Sequence, residues 1–299
     1  MATVTNGRST MEQLGTLLGR IWSGRPRFGH RMMVRVVAAS DVGTIRRNNE
    51  DYFLISDLAR PVSATHGNDV FADTLAAEPL LIVADGMGGA AGGEVAAGMA
   101  ATIIWSELAR AVRARRMSTP PRRRRSLLDA FRVANERIRA CAASSPELVG
   151  MGTTGTAAVL ARSELYVAHV GDTRTYLVRD GRAQRLTKDH SLLQHLIDSG
   201  AADAIETAQG HALLRALGPE PDVDVDVTRV PLRPDDVVVL CSDGVWSAVD
   251  DHEIAAVVNA RSALRVACET LIALANERGG RDNATALVAR FEPAASEVS

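Results

Sequence analysis

The chain is short of cysteine. Of its 299 residues only Cys141, Cys241 and Cys268 are cysteines, an odd number with no C-x-x-C pair. A disulfide framework and a zinc ribbon are therefore both unsupported, and each cysteine reads as a small buried apolar residue. Charge of one sign is also lacking. The 34 basic and 36 acidic residues leave a net charge of −2, so no global field draws in nucleic acid. Aromatics make up 4% of the chain, and none interleaves the seven arginines of residues 113–125, so base stacking has no platform there. No run approaches the ~20 apolar residues of a membrane span. No signal-peptide pattern opens the sequence, and a reducing cytoplasm is the expected location. No glycine loop runs into G-K-[ST], which excludes a P-loop nucleotidase. No internal repeat is evident.

What is present is a chain with 46% hydrophobic residues, enough for one large domain or two small ones. Residues 1–32 read as an extension. Met11, Leu14, Leu18 and Ile21 share a helical face, but Gly15 and Gly19 interrupt it. Strand patterns begin at Val34 and recur at Y-F-L-I-S and L-L-I-V-A. A long helix is expected over 93–115, a solvated arginine-rich loop over 113–125, and a second helix over 126–142. Close-set strands follow at 154–160, 164–170 and 175–179, the last closed by the hairpin signal Arg179-Asp180-Gly181-Arg182. A short helix over 191–199 ends at Gly200. Strands are expected at 223–230, 237–241 and 284–291, with helices at 251–259 and 262–278. Strands joined by tight turns are antiparallel, and the helices come in pairs. That pattern gives an α+β layered architecture.

The chemistry concentrates where strands end. The run L-L-I-V-A-D-G-M-G-G reads as a buried strand delivering Asp85 into a glycine-rich turn. A buried carboxylate is costly unless paired or metal-bound, and glycines expose carbonyl oxygens to a ligand. Ser242-Asp243-Gly244 follows another apolar strand, Arg281-Asp282-Asn283 opens the last one, and Asn48-Asn49-Glu50-Asp51 sits beside Arg46 and Arg47. Each alone is an ordinary turn or solvated loop. Converging carboxylates repel and need cations. Oxygen-only donors suit Mg²⁺ or Mn²⁺, and two such ions about 3.5–4 Å apart can make a water nucleophilic. A nearby arginine holds phosphate through its planar fork. Together these features describe phosphate-ester hydrolysis.

The ordered strings S-D-V-G-T-I-R-R-N-N-E-D, V-A-D-G-M-G-G, M-G-T-T, V-G-D-T-R, T-K-D-H-S, L-L-R-A-L-G, C-S-D-G-V-W and R-D-N-A-T span about residues 34–291. On them the chain resembles the metal-dependent protein serine/threonine phosphatases (PPM, type 2C) in their compact bacterial form. The resemblance implies a four-layer αββα sandwich, two packed antiparallel sheets flanked by antiparallel helix pairs, over residues 33–292. Residues 1–32 become an extension, 293–299 a tail, and about 187–217 a flap beside the site. It further implies that Asp85 bridges two metals, that Asp243 and Asp282 complete one of them, and that Glu50 and the Gly86 carbonyl ligate the other. Asp51 matches an acid that orients water at the metals, and Arg46 the phosphate-binding arginine. Arg47 falls on a variable position. Asp172 resembles the acid that, with Asp243, can hold a third, weaker metal. Phosphorylated proteins, including a cognate serine/threonine kinase, are the implied partners, and a monomer is expected.

One departure stands out. Some relatives carry a histidine after D-G that is proposed as general acid; here that position is Met87. The leaving oxygen must then be protonated by water at the metals or by another group. His190 reads as capping or starting a helix, His169 as a satisfied sheet residue, and Met99 as core. A G-x-G-x-x-A match at 86–91 lies far from the domain start and carries an acid where phosphates would approach. A second match at 150–155 precedes a strand, so a nicotinamide-dependent oxidoreductase is set aside. A catalytically idle binding module would have lost a metal acid, and all five acids are present. A phosphatase for a small phosphoester stays open, because the same metal chemistry would serve it.

Overall fold

The computed structural model describes residues 32–60, 64–67, 71–75, 78–88, 92–201, 212–260 and 263–293. The apolar face read over 11–21, Gly89 to Ala91, the centre of the expected flap and the last six residues lie outside these. The described chain runs β1 (Met32–Asp41), β2 (Asp51–Asp57), β3 (Ala64–Gly67), β4 (Phe71–Leu75), β5 (Pro79–Met87), α1 (Gly92–Arg113) and α2 (Pro120–Ser144). It continues through β6 (Gly152–Thr153), β7 (Gly155–Ala161), β8 (Glu164–Val170), β9 (Arg174–Arg179), β10 (Arg182–Arg185) and α3 (Leu192–Ser199). It ends with β11 (Asp226–Pro231), β12 (Val237–Cys241), α4 (Asp243–Trp246), α5 (Asp251–Asn259), α6 (Leu264–Glu277) and β13 (Ala284–Pro293).

One sheet has the order β10-β9-β12-β13-β1-β4; the other runs β11-β8-β7-β5-β2-β3, with β6 paired to the end of β5. All pairs are antiparallel, as the tight turns required. The period-two alternation of strands explains the continuous apolar runs. In β5, Leu80 and Ile82 face the layer of α1 and α2, while Leu81 and Val83 face the space between the sheets. In β13, Leu287, Ala289 and Phe291 point between the sheets, and Ala286 and Val288 point to α5 and α6. Three apolar layers thus separate four layers of structure, and both sheets are covered on both faces. Met99 is partly buried against the first of these layers.

The hairpin forms as read: Asp180 and Gly181 take φ of 51° and 74°, and Arg179 pairs with Arg182. Helix α3 is capped by Ser191, whose side chain accepts from the Gln194 amide, and closes on Gly200 at φ 71°. The cap is thus Ser191 and not His190. The arginine stretch also departs from expectation. Helix α2 begins at Pro120, so Arg122 to Arg125 lie on its opening turns instead of in a loop. Two prolines at the helix start are favourable, because the first turn needs no amide donor and φ is already set. Strands β3 and β4 had no legible pattern, and β11 starts at Asp226, later than expected. Helix α1 is, by length and composition, apolar enough to cross a membrane, contrary to the sequence-based expectation. Its Ala96, Ala100, Ile104 and Leu108 instead pack in the layer against β5 and β7.

Candidate active site

The β-ladders bring the acids together. Asp51 and Asp85 stand directly opposite each other in the β2–β5 register. In the other sheet, β12 pairs with β13, placing Asp243 just past one strand end and Asp282 just before the other. A cleft of about 610 Å³ opens there, lined by Arg46, Glu50, Asp85, Gly86, Asp172, Asp243 and Asp282, with Arg47 and Met87 beside them. Seven of the eight expected residues therefore share one cavity. The eighth, Asp51, lies behind it, 2% exposed.

Each position is fixed by backbone bonds. The Asp85 amide donates to Thr154 Oγ1 at 2.9 Å, and its carbonyl accepts from Thr153 Oγ1 and the Thr154 amide, each at 2.8 Å. Gly86 has no room for a side chain: a Cβ there would collide with the carbonyls of Gly93 and Glu50. The Glu50 carboxylate lies against Gly93 in the first turn of α1, where the helix dipole favours an anion. Asn283 ties the loop together. It accepts from the Glu50 amide at 2.8 Å and donates to the carbonyls of Val42 and Asn48, each at 2.9 Å. Arg46, half exposed, holds Asp282 at 2.7 Å.

The electrostatics are strained by like charges. Burial pushes the Asp51 carboxyl up to about 8, and Asp243 and Asp282 add to that against a 2.6 Å hydrogen bond from Ser242 Oγ. Asp51 Oδ1 is buried with no hydrogen-bond partner. Asp85 is raised well above the carboxylate range, by enclosure in protein and then by Asp51, Asp243, Asp172 and Asp282. Asp172 rises to about 7, again through burial first and Asp243 second. Among the described residues no three His, Cys, Asp or Glu side chains stand at metal-holding separation. The acids line one cavity without closing on a point, and Arg46 pairs with Asp282 at its edge.

Asp172 is held differently. Trp246 Nε1–H donates to its carbonyl at 2.9 Å. The preceding Gly171 donates its amide to His190 Nδ1 at 3.1 Å and accepts from the His190 amide at 2.7 Å. Arg174 lies 3.6 Å over the Trp246 ring and binds Asp189 through two nitrogens. His190 is 7% exposed, its Nε2 3.3 Å from Asp226 Oδ2. His169 is buried between Thr156 Oγ1 and the Lys188 carbonyl, and burial pushes it down to about 3. No described histidine lines the cleft. Thr153, Thr154, His190, Ser242, Trp246 and Asn283 were not singled out for these roles, although all lie within the matching strings M-G-T-T, T-K-D-H-S, C-S-D-G-V-W and R-D-N-A-T.

The family model described as protein phosphatase 2C matches residues 62–288. The chain belongs to that family. The serine/threonine phosphatase stp of Listeria welshimeri is 35% identical over 255 residues, which are 83% of this chain and 92% of that protein. The Streptococcus agalactiae serine/threonine phosphatase structure superposes with a TM-score of 0.74 at 29% identity, covering 86% of this chain and 99% of that one. The catalytic domain of PstP, solved with two manganese ions, superposes with a TM-score of 0.68 at 33% identity, covering 87% and 99%. The chain is a serine/threonine protein phosphatase of the 2C type.

Proposed function

We propose that phosphoserine and phosphothreonine hydrolysis here depends on two Mg²⁺ or Mn²⁺ ions held by Glu50, Asp85, Asp243, Asp282 and the Gly86 carbonyl. Asp172 with Asp243 can take a third, weaker ion. The observation that carries this is the gathering of enclosed carboxylates at one cleft, Asp51, Asp85 and Asp172 being raised in proton affinity first by burial and then by the neighbouring acids. The donors are all oxygens, which fits hard divalent ions. The unpartnered Asp51 Oδ1 is a further acceptor, suited to orienting water. Two bound ions would supply Lewis-acid polarisation of the phosphoryl group and activation of the attacking water.

The chain's own groups do the rest. Arg46 exchanges Asp282 for substrate phosphate, offering two parallel donors. Ser242 fixes Asp51, and the Thr153–Thr154 pair fixes the Asp85 backbone, so the anionic wall is preorganised before substrate arrives. Met87 lines the cleft and has no proton to give, so the leaving oxygen is protonated without a described histidine. The same reading takes a serine/threonine kinase as one phosphoprotein partner and the enzyme as a monomer.

Chelation followed by re-addition of Mn²⁺ tests the metal dependence. Turnover of an aryl phosphate and of a phosphothreonine peptide should both vanish with chelator and return with metal. Persistent turnover in the metal-stripped protein overturns the proposal. Aryl phosphate turnover alone would point to a small phosphoester as substrate.

A further inference from the structure

Helix α1 joins two unlike ends of the molecule. Its first turn touches Glu50 and Gly86 at the cleft. The helix is 22 residues long, about 33 Å from end to end at the α-helical rise, and its last turn lies at the far end. There the chain turns through Arg115 at φ 56° and enters α2. Seven arginines fall between 113 and 125, in a chain whose net charge is −2. Arg113, Arg115, Arg116, Arg122, Arg124 and Arg125 are exposed, while Arg123 turns inward, 4.9 Å from the Tyr166 ring. Their neutralisation is slight. Arg125 reaches Asp129 at 3.9 Å, and Arg113, Arg115, Arg116 and Arg124 form no ion pair among the described residues.

Part of this arrangement opposes the fold. Arg122 to Arg125 crowd the opening turns of α2, the positive end of its dipole, where acids belong. That first turn holds no acid, and Thr119 makes no side-chain cap bond. Like charges also repel at helical spacing. Arg123 gains packing on Tyr166, but Arg124 and Arg125 stay exposed, and a local electrostatic rule broken there points to a binding surface.

The surroundings narrow the occupant. Exposed large hydrophobics in the described chain are Ile45, Val95, Val149, Ile197, Leu214 and Val266, none of them in this corner, so nothing there would insert into a bilayer. No aromatic is available to stack a base. Guanidinium forks match carboxylates and phosphates. We propose that the corner formed by residues 113–125 docks an acidic segment of the phosphoprotein substrate while its phosphorylated residue occupies the distant cleft. An extended chain covers about 3.3 Å per residue, so about ten or more residues must separate the two. The inference rests on the phosphoprotein activity and is independent of which residues ligate metal.

The test uses two phosphothreonine peptides. One ends at the core sequence; the other continues through a neutral spacer of about twelve residues into a Glu/Asp-rich segment. For the wild-type enzyme the tailed peptide should show a KM about tenfold lower with kcat unchanged, and added salt should erase the advantage. Combined Arg113→Gln, Arg116→Gln and Arg124→Gln substitutions should remove the advantage and leave the short peptide's kcat and KM unaltered, which also confirms folding. Equal KM values for the two peptides with the wild-type enzyme would overturn the proposal. So would an advantage that survives in the triple variant. A variant that loses binding to phosphatidylglycerol vesicles or to duplex DNA, with peptide kinetics unmoved, would assign the corner to a membrane or a nucleic acid instead.

Discussion

On one side of the cleft the acids stand at strand ends; on the other, Asp172 stands on a turn. Asp85 is locked by the β2–β5 ladder, two residues beyond the β5–β7 pairing that ends at Val83, and its partner Asp51 sits directly across in register. A one-residue slip would turn every side chain of β5 to the opposite face and exchange two apolar layers, so the register cannot drift. Asp172 has no such ladder. Its place depends on Trp246, on His190 through Gly171, and on the Arg174–Asp189 pair that stacks on Trp246. The first side is rigid through the fold itself. The second is rigid through a few side-chain bonds, so its failure should be graded where that of the first is abrupt.

The largest expected effect comes from the ladder side. Asp85→Asn should lower Mn²⁺-dependent turnover by more than about a hundredfold. It should not destabilise the protein, because the three backbone bonds that place residue 85 involve no side-chain oxygen of Asp85. Removing one enclosed charge from a repelling set should even raise the melting temperature of the metal-free protein. Turnover and thermal melts on the same preparation decide this. Near-normal activity would remove Asp85 from the metal site, and a collapsed melt would mean that the ladder is not what fixes it.

A smaller effect is expected at Arg46, on a loop rather than a strand. Its loop is held down by Asn283 and by the bond from the Thr44 amide to the Gly280 carbonyl at 2.8 Å. Arg46→Ala should raise KM more than it lowers kcat, with kcat/KM falling about 10–150-fold, the worth of a lost charge-assisted hydrogen bond. Arg47 lines the same cleft. Arg47→Ala should do much less, and reversed severities would shift the phosphate contact by one residue.

The same division decided what could be read in advance. The ladder side was legible because a buried strand announces itself as an apolar run, and an acid at its end is chemically conspicuous. Leu80 to Asp85 and Val237 to Asp243 carried that signal. On the turn side Asp172 was legible but its supports were not, because Trp246 and His190 act through bonds to the backbone of residues far away in sequence. No periodicity reports such a bond. Helix α2 starts earlier than its four arginines suggest, because Pro120 and Pro121 fit the first turn and open the helix. Strands β3 and β4 lack a long apolar run, and pairing with β2 and β1 supplies what their sequence does not.

The smallest effect should come from His190, and it separates positioning from proton transfer. Its Nδ1 accepts from the Gly171 amide, so the proton of the neutral ring sits on Nε2, 3.3 Å from Asp226 Oδ2 and beside the Arg215 guanidinium that also binds Asp226. Neither nitrogen reaches the cleft. His190→Ala should therefore leave the Gly171 amide without its acceptor, loosening the turn that carries Asp172 and destabilising the fold by about 1–3 kcal/mol. Turnover should fall about 3–10-fold, a loss of about 0.7–1.4 kcal/mol in transition-state stabilisation. The fall should be the same for an aryl phosphate and for a phosphothreonine peptide. A general acid would behave otherwise, because the aryl leaving group needs little protonation and the threonine oxygen needs it fully. His190→Asn sharpens the contrast. Its Oδ1 can stand where Nδ1 stood and accept from Gly171, but it cannot titrate. Recovery of most activity by Asn on both substrates is the outcome positioning requires. Selective loss on the phosphopeptide, unrelieved by Asn, would make the histidine the acid and place the two sides of the cleft on an equal chemical footing.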